Sequence, residues 1–121
     1  LHDALPIFEP LQTDGPPVTP PNAQVALYIS FPRSEGFNLA YYMYTHIPLC
    51  KREWKSKGLV GFTVATFEEG DIAVMTTLLW KTREMLDGVL ARDGTSKIMA
   101  DIANFSPQQP TMSVGHLVVT G

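Results

Sequence analysis

Two side chains suited to proton chemistry, Tyr42 and His46, lie one helical turn apart in the segment that follows Asn38. The i, i+3, i+4, i+7 spacing of a single helix face is formed here by Leu39, Tyr42, Met43 and His46. Imidazole suits proton transfer because its unperturbed pKa lies near neutrality, and a phenol can donate a hydrogen bond to developing charge on oxygen. His46 and Tyr42 are therefore candidate catalytic residues on the inward face of a helix that Asn38 caps.

The same residues also fit an ordinary protein core. An inward histidine can be a hydrogen-bonded packing residue, and Tyr41, Tyr42 and Tyr44 can fill space with satisfied hydroxyl groups. Pro48 favours a special role for His46, because proline removes an amide donor and disfavours helical geometry in the residue before it. A helix break next to His46 is thus expected, and both interpretations of the histidine stay open.

Later in the chain, Asp101 and Asn104 are candidate partners for this pair. If their loop folds back over the first helix, Asp101 is placed to orient His46 or to act as a base, and Asn104 to bind a substrate oxygen. The alternative is a helix-ending aspartate and a turn asparagine, which are common in loops.

Further candidate site residues are aromatic residues and the second histidine of residues 25–121. Tyr41, Trp80 and Phe105 are candidates to line an aromatic substrate pocket. His116 lies on the last predicted strand, where we expect a buried, hydrogen-bonded histidine rather than a catalytic one.

The elements that must position these residues follow from hydrophobic periodicity and turn signals. A strand over residues 25–31 shows strict alternation and ends at Pro32, and a helix runs from Asn38 through Trp54 to Gly58. Two strands over residues 62–67 and 73–80 are predicted to form a hairpin around Gly70. After the hairpin, a helix is predicted to begin after Thr82 and to end at Gly94. A helical turn over residues 96–101 and a last strand over residues 112–120 follow it.

This order, βαββαβ, predicts a ferredoxin-like α+β fold with an antiparallel sheet and two helices on one sheet face. Both faces of the third strand are apolar, with Val74 and Leu78 opposite Met75 and Leu79. A solvated face would carry polar residues in alternation. We therefore expect a homodimer that packs sheet against sheet.

Composition restricts the partners. The 121 residues carry a formal net charge of −3, and the basic residues form no stripe with interleaved aromatics, so no nucleic acid is expected. No apolar run spans a bilayer, so no membrane is expected. The single cysteine, Cys50, excludes an internal disulfide and fits a cytoplasmic setting, and the scattered histidines indicate no metal site.

Residues 1–24 differ from the rest of the chain, because they are rich in proline and poor in periodic apolar residues. This composition predicts that residues 1–24 are a disordered or artefactual tail. One domain follows it over residues 25–121. The first seven residues also resemble a peptide encoded by a sequencing adaptor, so His2 is set aside.

Three strings of residues resemble one known family. Residues 41–49 read Tyr-Tyr-Met-Tyr-Thr-His-Ile-Pro-Leu, residues 57–59 read Lys-Gly-Leu, and residues 101–106 read Asp-Ile-Ala-Asn-Phe-Ser. Together they resemble the EthD-like family of dimeric α+β barrels, and the likeness spans residues 25–119. The resemblance implies a homodimer with a small pocket between sheet and helices.

The resemblance also implies chemistry without cofactors. Members are associated with oxidative ether degradation, and fungal relatives look like decarboxylases or cyclising enzymes of aromatic polyketide pathways. Related barrels include cofactor-free monooxygenases that act on anthrone-like phenols, so the implied classes are lyases and oxidoreductases. The leading hypothesis is an enzyme without a cofactor that decarboxylates or oxygenates a hydrophobic aromatic or carbonyl compound such as a polyketide-like phenol. In this hypothesis His46 moves the proton, and Tyr42 and Asn104 stabilise enolate-like charge. The alternative is a non-catalytic ligand-binding or accessory protein for an oxidative degradation system.

Overall fold

A computed structural model describes residues 22–91 and 94–119 of the chain. Its elements, in order, are β1 (Val25–Pro32), α1 (Leu39–Tyr41), a π-helical turn (Tyr42–His46), α2 (Ile47–Trp54), a 3-10 turn (Lys55–Lys57), β2 (Leu59–Thr66), β3 (Ile72–Trp80), α3 (Arg83–Leu90), α4 (Gly94–Asp101), a second 3-10 turn (Ile102–Asn104) and β4 (Thr111–His116). This confirms the predicted α+β class and the ferredoxin-like order of strands and helical segments.

The four strands form one antiparallel sheet in the order β2-β3-β1-β4. Val25, Leu27 and Phe31 of β1 are buried on the face that the helices cover, as the predicted alternation required. Burial does not alternate strictly, however, because Ala26 on the other face is also fully buried and Ile29 is only partly buried. The predicted β2–β3 hairpin is also present, and Gly70 takes a positive φ of 96° in its loop. Only glycine adopts such a backbone conformation readily.

Several predicted boundaries were wrong. β2 begins at Leu59 rather than at residue 62, because Gly58 (φ 110°) ends the helical segment and the strand starts at once, with a register shift before Gly61. Gly94 begins α4 and does not end α3. Instead, α3 ends where the Thr95 hydroxyl donates to the carbonyl of Val89 at 2.5 Å, a bond between side chain and backbone that periodicity does not reveal.

The two ends of the domain also differ from the prediction. Ala23 is buried, and Gln24 donates from its backbone nitrogen to Trp80 at 3.0 Å, so both belong to the folded domain rather than to a tail. The remaining predicted tail, residues 1–21, lies outside the described residues. β4 ends at His116 instead of continuing to residue 120, and Val118 is exposed after it; residue 120 also lies outside the described part.

The space between the sheet and the helices contains two groups of buried side chains. One, the tryptophan cluster, comprises Val25, Leu27, Cys50, Trp54, Leu59, Leu78, Trp80, Leu86, Val89 and Ile98. The other, the aromatic cluster, comprises Phe31, Tyr42, Met43, Ile47, Val74, Ile102 and Phe105. The first helical segment contributes to both, so it runs along the whole length of the core.

The opposite face of the sheet has no cover from any helix of the described residues. The strand pairing places on this open face Ala26, which is itself fully buried, and also Tyr28, Ser30, Thr63, Ala65, Met75, Thr77, Leu79, Thr111, Ser113 and Gly115. None of these side chains is charged. Gly115 makes room for the Tyr28 ring, because a Cβ at this position would lie 2.9 Å from the ring carbon Cε2.

No helix in the described part of the chain is both long enough and apolar enough to cross a membrane.

Candidate active site

His46 ends a widened turn of the first helical segment. The side chain of Asn38 accepts a hydrogen bond from the Tyr41 backbone nitrogen at 3.0 Å, which confirms the predicted cap. Ile47 then donates to the carbonyl of Tyr42, five residues earlier, which is the π-helical pattern. The predicted break is therefore present directly before Pro48, which has no amide hydrogen for the helical ladder.

The chain after α4 folds back over this turn, as the Asp101 hypothesis required. The backbone nitrogen of Asn38 donates to the carbonyl of Phe105 at 2.8 Å. The Phe105 ring packs against the His46 ring with centroids 4.5 Å apart, and against Tyr42 at 4.9 Å. Because α4 ends at Asp101, this arrangement brings the carboxylate to the histidine.

Three side chains converge on the carboxylate of Asp101. His46 Nδ1 lies 2.8 Å from Oδ2, the Tyr41 hydroxyl donates to Oδ1 at 2.6 Å, and Asn104 Nδ2 donates to Oδ1 at 2.9 Å. Hydrogen bonds on both oxygens hold the carboxylate in one orientation. An oriented carboxylate beside Nδ1 in turn fixes the imidazole ring and selects the tautomer with hydrogen on Nδ1.

The charges of this group are set by burial and by these hydrogen bonds. Desolvation raises the pKa of Asp101, but hydrogen bonds from Tyr41, Asn104 and His46 outweigh it, so the pKa lies below its usual value and the group is a carboxylate at neutral pH. Burial lowers the pKa of His46, and the hydrogen bond and charge of Asp101 offset this only in part. The imidazole is therefore neutral at pH 7, with an unprotonated Nε2.

His46 Nε2 is the nitrogen left for a ligand. Within the described part of the chain it has no hydrogen-bond partner, whereas Nδ1 is bound to Asp101. The residue is 5% exposed, and it forms part of the wall of a cavity. A neutral imidazole held in this way has the chemistry that a general base requires, and it borders an enclosed space.

Tyr42 stands next to this base. Its ring stacks on the His46 ring with centroids 5.5 Å apart and planes 18° apart. Its hydroxyl is hydrogen-bonded to the Thr76 hydroxyl on β3. Burial raises the pKa of Tyr42 well above its ordinary value, so the phenol keeps its proton at neutral pH.

The cavity lies between the sheet and the helices and is largely apolar. It is narrow, with a cavity volume of about 30 Å³, and on the same measure about 10–15 Å³ is enough for one water molecule. Its walls are formed by Leu27, Ile29, Phe31, Tyr42, His46, Ile47, Cys50, Trp54, Thr76, Leu78, Leu90, Thr95, Ile98, Met99, Ile102 and Met112. Burial raises the pKa of Cys50 to about 12, so the thiol is a neutral wall group.

One side of the cavity reaches the surface. Leu90, Met99 and Met112 line the cavity and are also exposed, at 42%, 39% and 36% of their surfaces. They come from α3, α4 and β4 respectively, so the cavity opens between these elements. Methionine side chains are flexible and fit irregular apolar surfaces, which suits an entrance for an apolar molecule.

The structure brings some predicted site residues together and leaves others apart. His46 and Tyr42 line the cavity, while Tyr41 and Asn104 lie behind His46, where they hold Asp101. Phe105 also supports the histidine ring from outside the cavity lining.

Trp80 and His116 do not belong to the cavity wall. Trp80 is fully buried in the tryptophan cluster, with its ring centroid 5.6 Å from that of Trp54, and it is Trp54 that lines the cavity. His116 was expected to be buried but is exposed at the end of β4, because the strand stops there. Neither residue has a place in the candidate site.

Thr76 is the site residue that sequence reasoning missed. It is 1% exposed and lies on the inward face of β3, between Val74 and Leu78. The sequence did contain a signal for Thr76. In the inward–outward alternation of β3 it is a polar residue at an inward position, between two buried aliphatic residues. A buried polar side chain at such a position requires a hydrogen-bond partner.

Comparison with known proteins supports the fold. No family model matches the chain, and no curated protein matches its sequence. Among solved structures, an EthD-like protein from Ralstonia eutropha JMP134 aligns with a TM-score of 0.71 and 23% identity over 81% of this chain and 95% of its own. An ethyl tert-butyl ether D (EthD) family protein from Bacillus halodurans C-125 aligns with a TM-score of 0.65 and 19% identity over 78% and 99% of the two chains.

The chain has the EthD-like fold. The resemblance that the residues at 41–49 and 101–106 indicated is thus confirmed at the level of architecture. The cofactor-independent oxygenase SnoaB from Streptomyces nogalater aligns as well, with a TM-score of 0.59 and 14% identity over 82% of this chain and 95% of its own. At such identities the EthD-like fold is shown, and the reaction has to be argued from the site itself.

Proposed function

We propose that this protein is an enzyme that needs no cofactor and acts by proton transfer on a small hydrophobic compound with a carbonyl or phenolic oxygen. The observation that carries the proposal is His46, a neutral buried imidazole in a cavity wall whose Nδ1 is held by Asp101 at 2.8 Å. A packing histidine needs no carboxylate that two further side chains orient. A general base needs such an oriented carboxylate, because its imidazole ring must keep one tautomer and one orientation.

The proposed step follows from these groups. His46 Nε2 removes a proton from a phenol or from carbon next to a carbonyl, which leaves a phenolate or enolate. The imidazolium that forms is stabilised by the Asp101 carboxylate, since the charge and hydrogen bond of Asp101 both favour the protonated ring. With an oxygenase substrate, the carbon of the phenolate or enolate then bonds to dioxygen, which is reduced to a hydroperoxide, and the peroxide oxygen takes the proton from His46. With a β-keto or hydroxylated aromatic acid, His46 instead removes the carboxyl proton, the bond from carbon to the carboxylate breaks as carbon dioxide leaves, and the remaining carbanion or enolate takes that proton back at carbon.

The cavity restricts the substrate. Its walls are mainly aliphatic and aromatic, and its open side is bordered by Leu90, Met99 and Met112. An apolar ring or chain gains by leaving water there, whereas a charged sugar or a nucleotide would lose its hydration without compensation. The narrow volume favours single-ring compounds, and larger ones require the methionines to move.

The test compares two histidine variants. Wild type, His46→Gln and the control His116→Gln are incubated with a panel that runs from single-ring hydroxylated aromatic acids to anthrones, and carbon dioxide release and oxygen consumption are followed. We expect His46→Gln to lower turnover by about 100-fold or more, the usual scale for general acid–base catalysis, and His116→Gln to leave it unchanged. Wild-type turnover that His46→Gln matches while folded would contradict the proposal.

One observation favours a second candidate function, a ligand-binding or accessory protein. The cavity is small and largely apolar, and such a cavity can hold a hydrophobic molecule without chemistry. In that case the panel yields no turnover with wild type, while apolar compounds still bind to it and to His46→Gln with similar affinity.

We also propose that two copies of the chain pack through the open face of the sheet. Among the residues that the structure describes, the paired positions on this face include Tyr28, Met75 and Leu79 and carry no charge, which is unusual for a surface in water. Light scattering is expected to give twice the monomer mass, and Leu79→Lys to reduce it to the monomer. A wild-type protein that is monomeric at micromolar concentration would exclude this assembly and leave the face to residues 1–21 or to another protein.

A reducing, cytoplasmic location remains part of the proposal, because the single thiol, Cys50, is buried and has no partner cysteine in the chain.

A further inference from the structure

The hydroxyl pair formed by Tyr42 and Thr76 has one hydrogen more than its own hydrogen bond uses. Each hydroxyl carries one hydrogen, and the bond between the two oxygens uses one of them. Neither hydroxyl has another hydrogen-bond partner in the described part of the chain. Whichever oxygen donates within the pair, one O–H group remains for a different acceptor.

The position of the pair makes this spare donor informative. Tyr42 and Thr76 are 2% and 1% exposed, so bulk solvent does not reach them freely. Both residues line the cavity, whose walls are otherwise mainly aliphatic and aromatic. Buried donors in native proteins nearly always have an acceptor, and one left over beside a cavity indicates an acceptor that enters the cavity.

The chemistry of the pair defines that acceptor. Burial raises the pKa of Tyr42, so the phenol stays protonated and the pair remains a donor at neutral pH. It carries no charge, and so it does not provide a counter-ion for a permanent anion. The suitable ligand atom is an oxygen that is neutral in the ground state and gains negative charge during a reaction, such as a carbonyl oxygen that becomes an enolate.

The neighbouring base supports the same conclusion. The His46 ring stacks on the Tyr42 ring, so the base and the spare donor face the cavity side by side. Asn104, which the sequence suggested as the oxygen-binding group, donates to Asp101 and lies outside the cavity lining. The hydroxyl pair is therefore better placed for this role than Asn104.

We propose that Tyr42 and Thr76 together form the oxygen-binding site of the cavity and donate one hydrogen bond to the carbonyl oxygen of the ligand. Thr76 is thus a binding residue, and not only a packing residue of β3. The inference rests on the proposed function for the identity of the site, but it concerns binding, so it can be tested without turnover.

The experiment uses two probes of nearly equal shape, acetophenone and α-methylstyrene, which differ in having C=O or C=CH₂. Their affinities for wild type are measured by NMR titration and compared with those for the double variant Tyr42→Phe/Thr76→Val. The double variant is chosen because each single variant retains one hydroxyl that can still donate. Replacing both partners by apolar groups of similar shape is also the change that a fold tolerates best.

We expect wild type to bind acetophenone about 10-fold more tightly than α-methylstyrene, the scale of one hydrogen bond, and the double variant to lose this preference. The carbonyl stretch of bound acetophenone should be lowered in wild type and not in the double variant. Thr77→Val is the matched control, since Thr77 is the next residue of β3 and lies on the open face. It should retain both effects.

Equal affinities for the two probes in wild type would overturn the inference, because a bound water would then satisfy the donor. So would failure of both probes to bind, or a preference that survives in the double variant. The binding results can be distinguished from the test of the proposed function, which measures turnover. A preference for acetophenone without any turnover would support the oxygen-binding site and contradict the proposed enzymatic function. Turnover without the preference would support the enzymatic function and contradict the oxygen-binding site.

Discussion

The two clusters of the core differ in their polar content, although one helical segment supplies both. The tryptophan cluster packs Trp54 against Trp80, and the Trp80 Nε1 is a buried polar atom without a partner among the described residues. The aromatic cluster surrounds His46, Tyr42 and the Asp101 carboxylate, which are connected by stacking and hydrogen bonds. The tryptophan cluster supplies apolar packing and part of the apolar cavity wall, whereas the groups that can transfer protons lie in and beside the aromatic cluster.

The difference shows how a regular helix acquires a site. Helical spacing points Tyr42 and His46 inward just as it points Trp54 inward. What distinguishes the first two is the π-helical turn that contains them and the carboxylate that α4 brings from a distant part of the chain. Widened turns of this kind are frequent at functional sites. Three predictions test whether the two ends really differ in this way.

The largest effect is expected at the tryptophan cluster, from Leu86→Ala. Leu86 is fully buried and does not line the cavity, so the variant should lose about 2–5 kcal/mol of unfolding free energy through lost burial and a new void. Turnover per folded molecule should not change. Denaturant unfolding measures the unfolding free energy, and an activity assay measures turnover per folded molecule. The control is Glu84→Ala, at an exposed neighbouring position. A large loss of activity in folded Leu86→Ala would mean that packing away from the cavity wall also controls the site.

A smaller effect, on activity rather than stability, is expected from Asp101→Asn. An amide at this position must face either His46 or Asn104 with its NH₂ group, which removes the acceptor of Nδ1 or opposes another donor. Turnover should fall by about 10- to 100-fold, part of what a general base contributes. Asp87→Asn, at an exposed ion pair on α3, is the matched control.

The pH dependence of that variant separates positioning from simple damage. Asp101 raises the pKa of His46 by hydrogen bonding and charge, so its replacement should lower this pKa further. The acid limb of the kcat/KM profile should therefore move to lower pH in Asp101→Asn. An acid limb that stays in place would show that the carboxylate does not act through His46.

The smallest effect concerns stability in mild acid. The pKa of His46 is lower in the folded protein than its ordinary value of 6.5, so the unfolded chain binds a proton first as the pH falls. Folding stability should accordingly decrease below about pH 6.5, by at most about 1.4 kcal/mol per pH unit for one proton, until the folded pKa is reached. His46→Gln should remove this component, and His116→Gln, at an exposed position, should retain it. Identical profiles for the two variants would contradict the buried neutral histidine.

The site was predictable from the sequence in part. Periodicity placed Tyr42 and His46 on one inward face, and the resemblance at residues 101–106 brought Asp101 into consideration. Thr76 was missed because it is one polar residue in an apolar strand, and its partner lies 34 positions earlier in the chain. Trp80 was placed in the pocket because an inward aromatic residue has the same pattern whether it lines a cavity or fills a core.

The sequence by itself determined the order of strands and helices, the inward faces of β1 and of the first helical segment, and the break before Pro48. These properties depend on neighbours in the chain and on backbone chemistry, which a sequence states directly. Only the tertiary structure decided that Asp101 binds His46, that Asn104 supports the carboxylate instead of a substrate, and that His116 is exposed. Such contacts join residues up to 60 positions apart, and they depend on how loops close over helices, where small differences in packing select one partner among several.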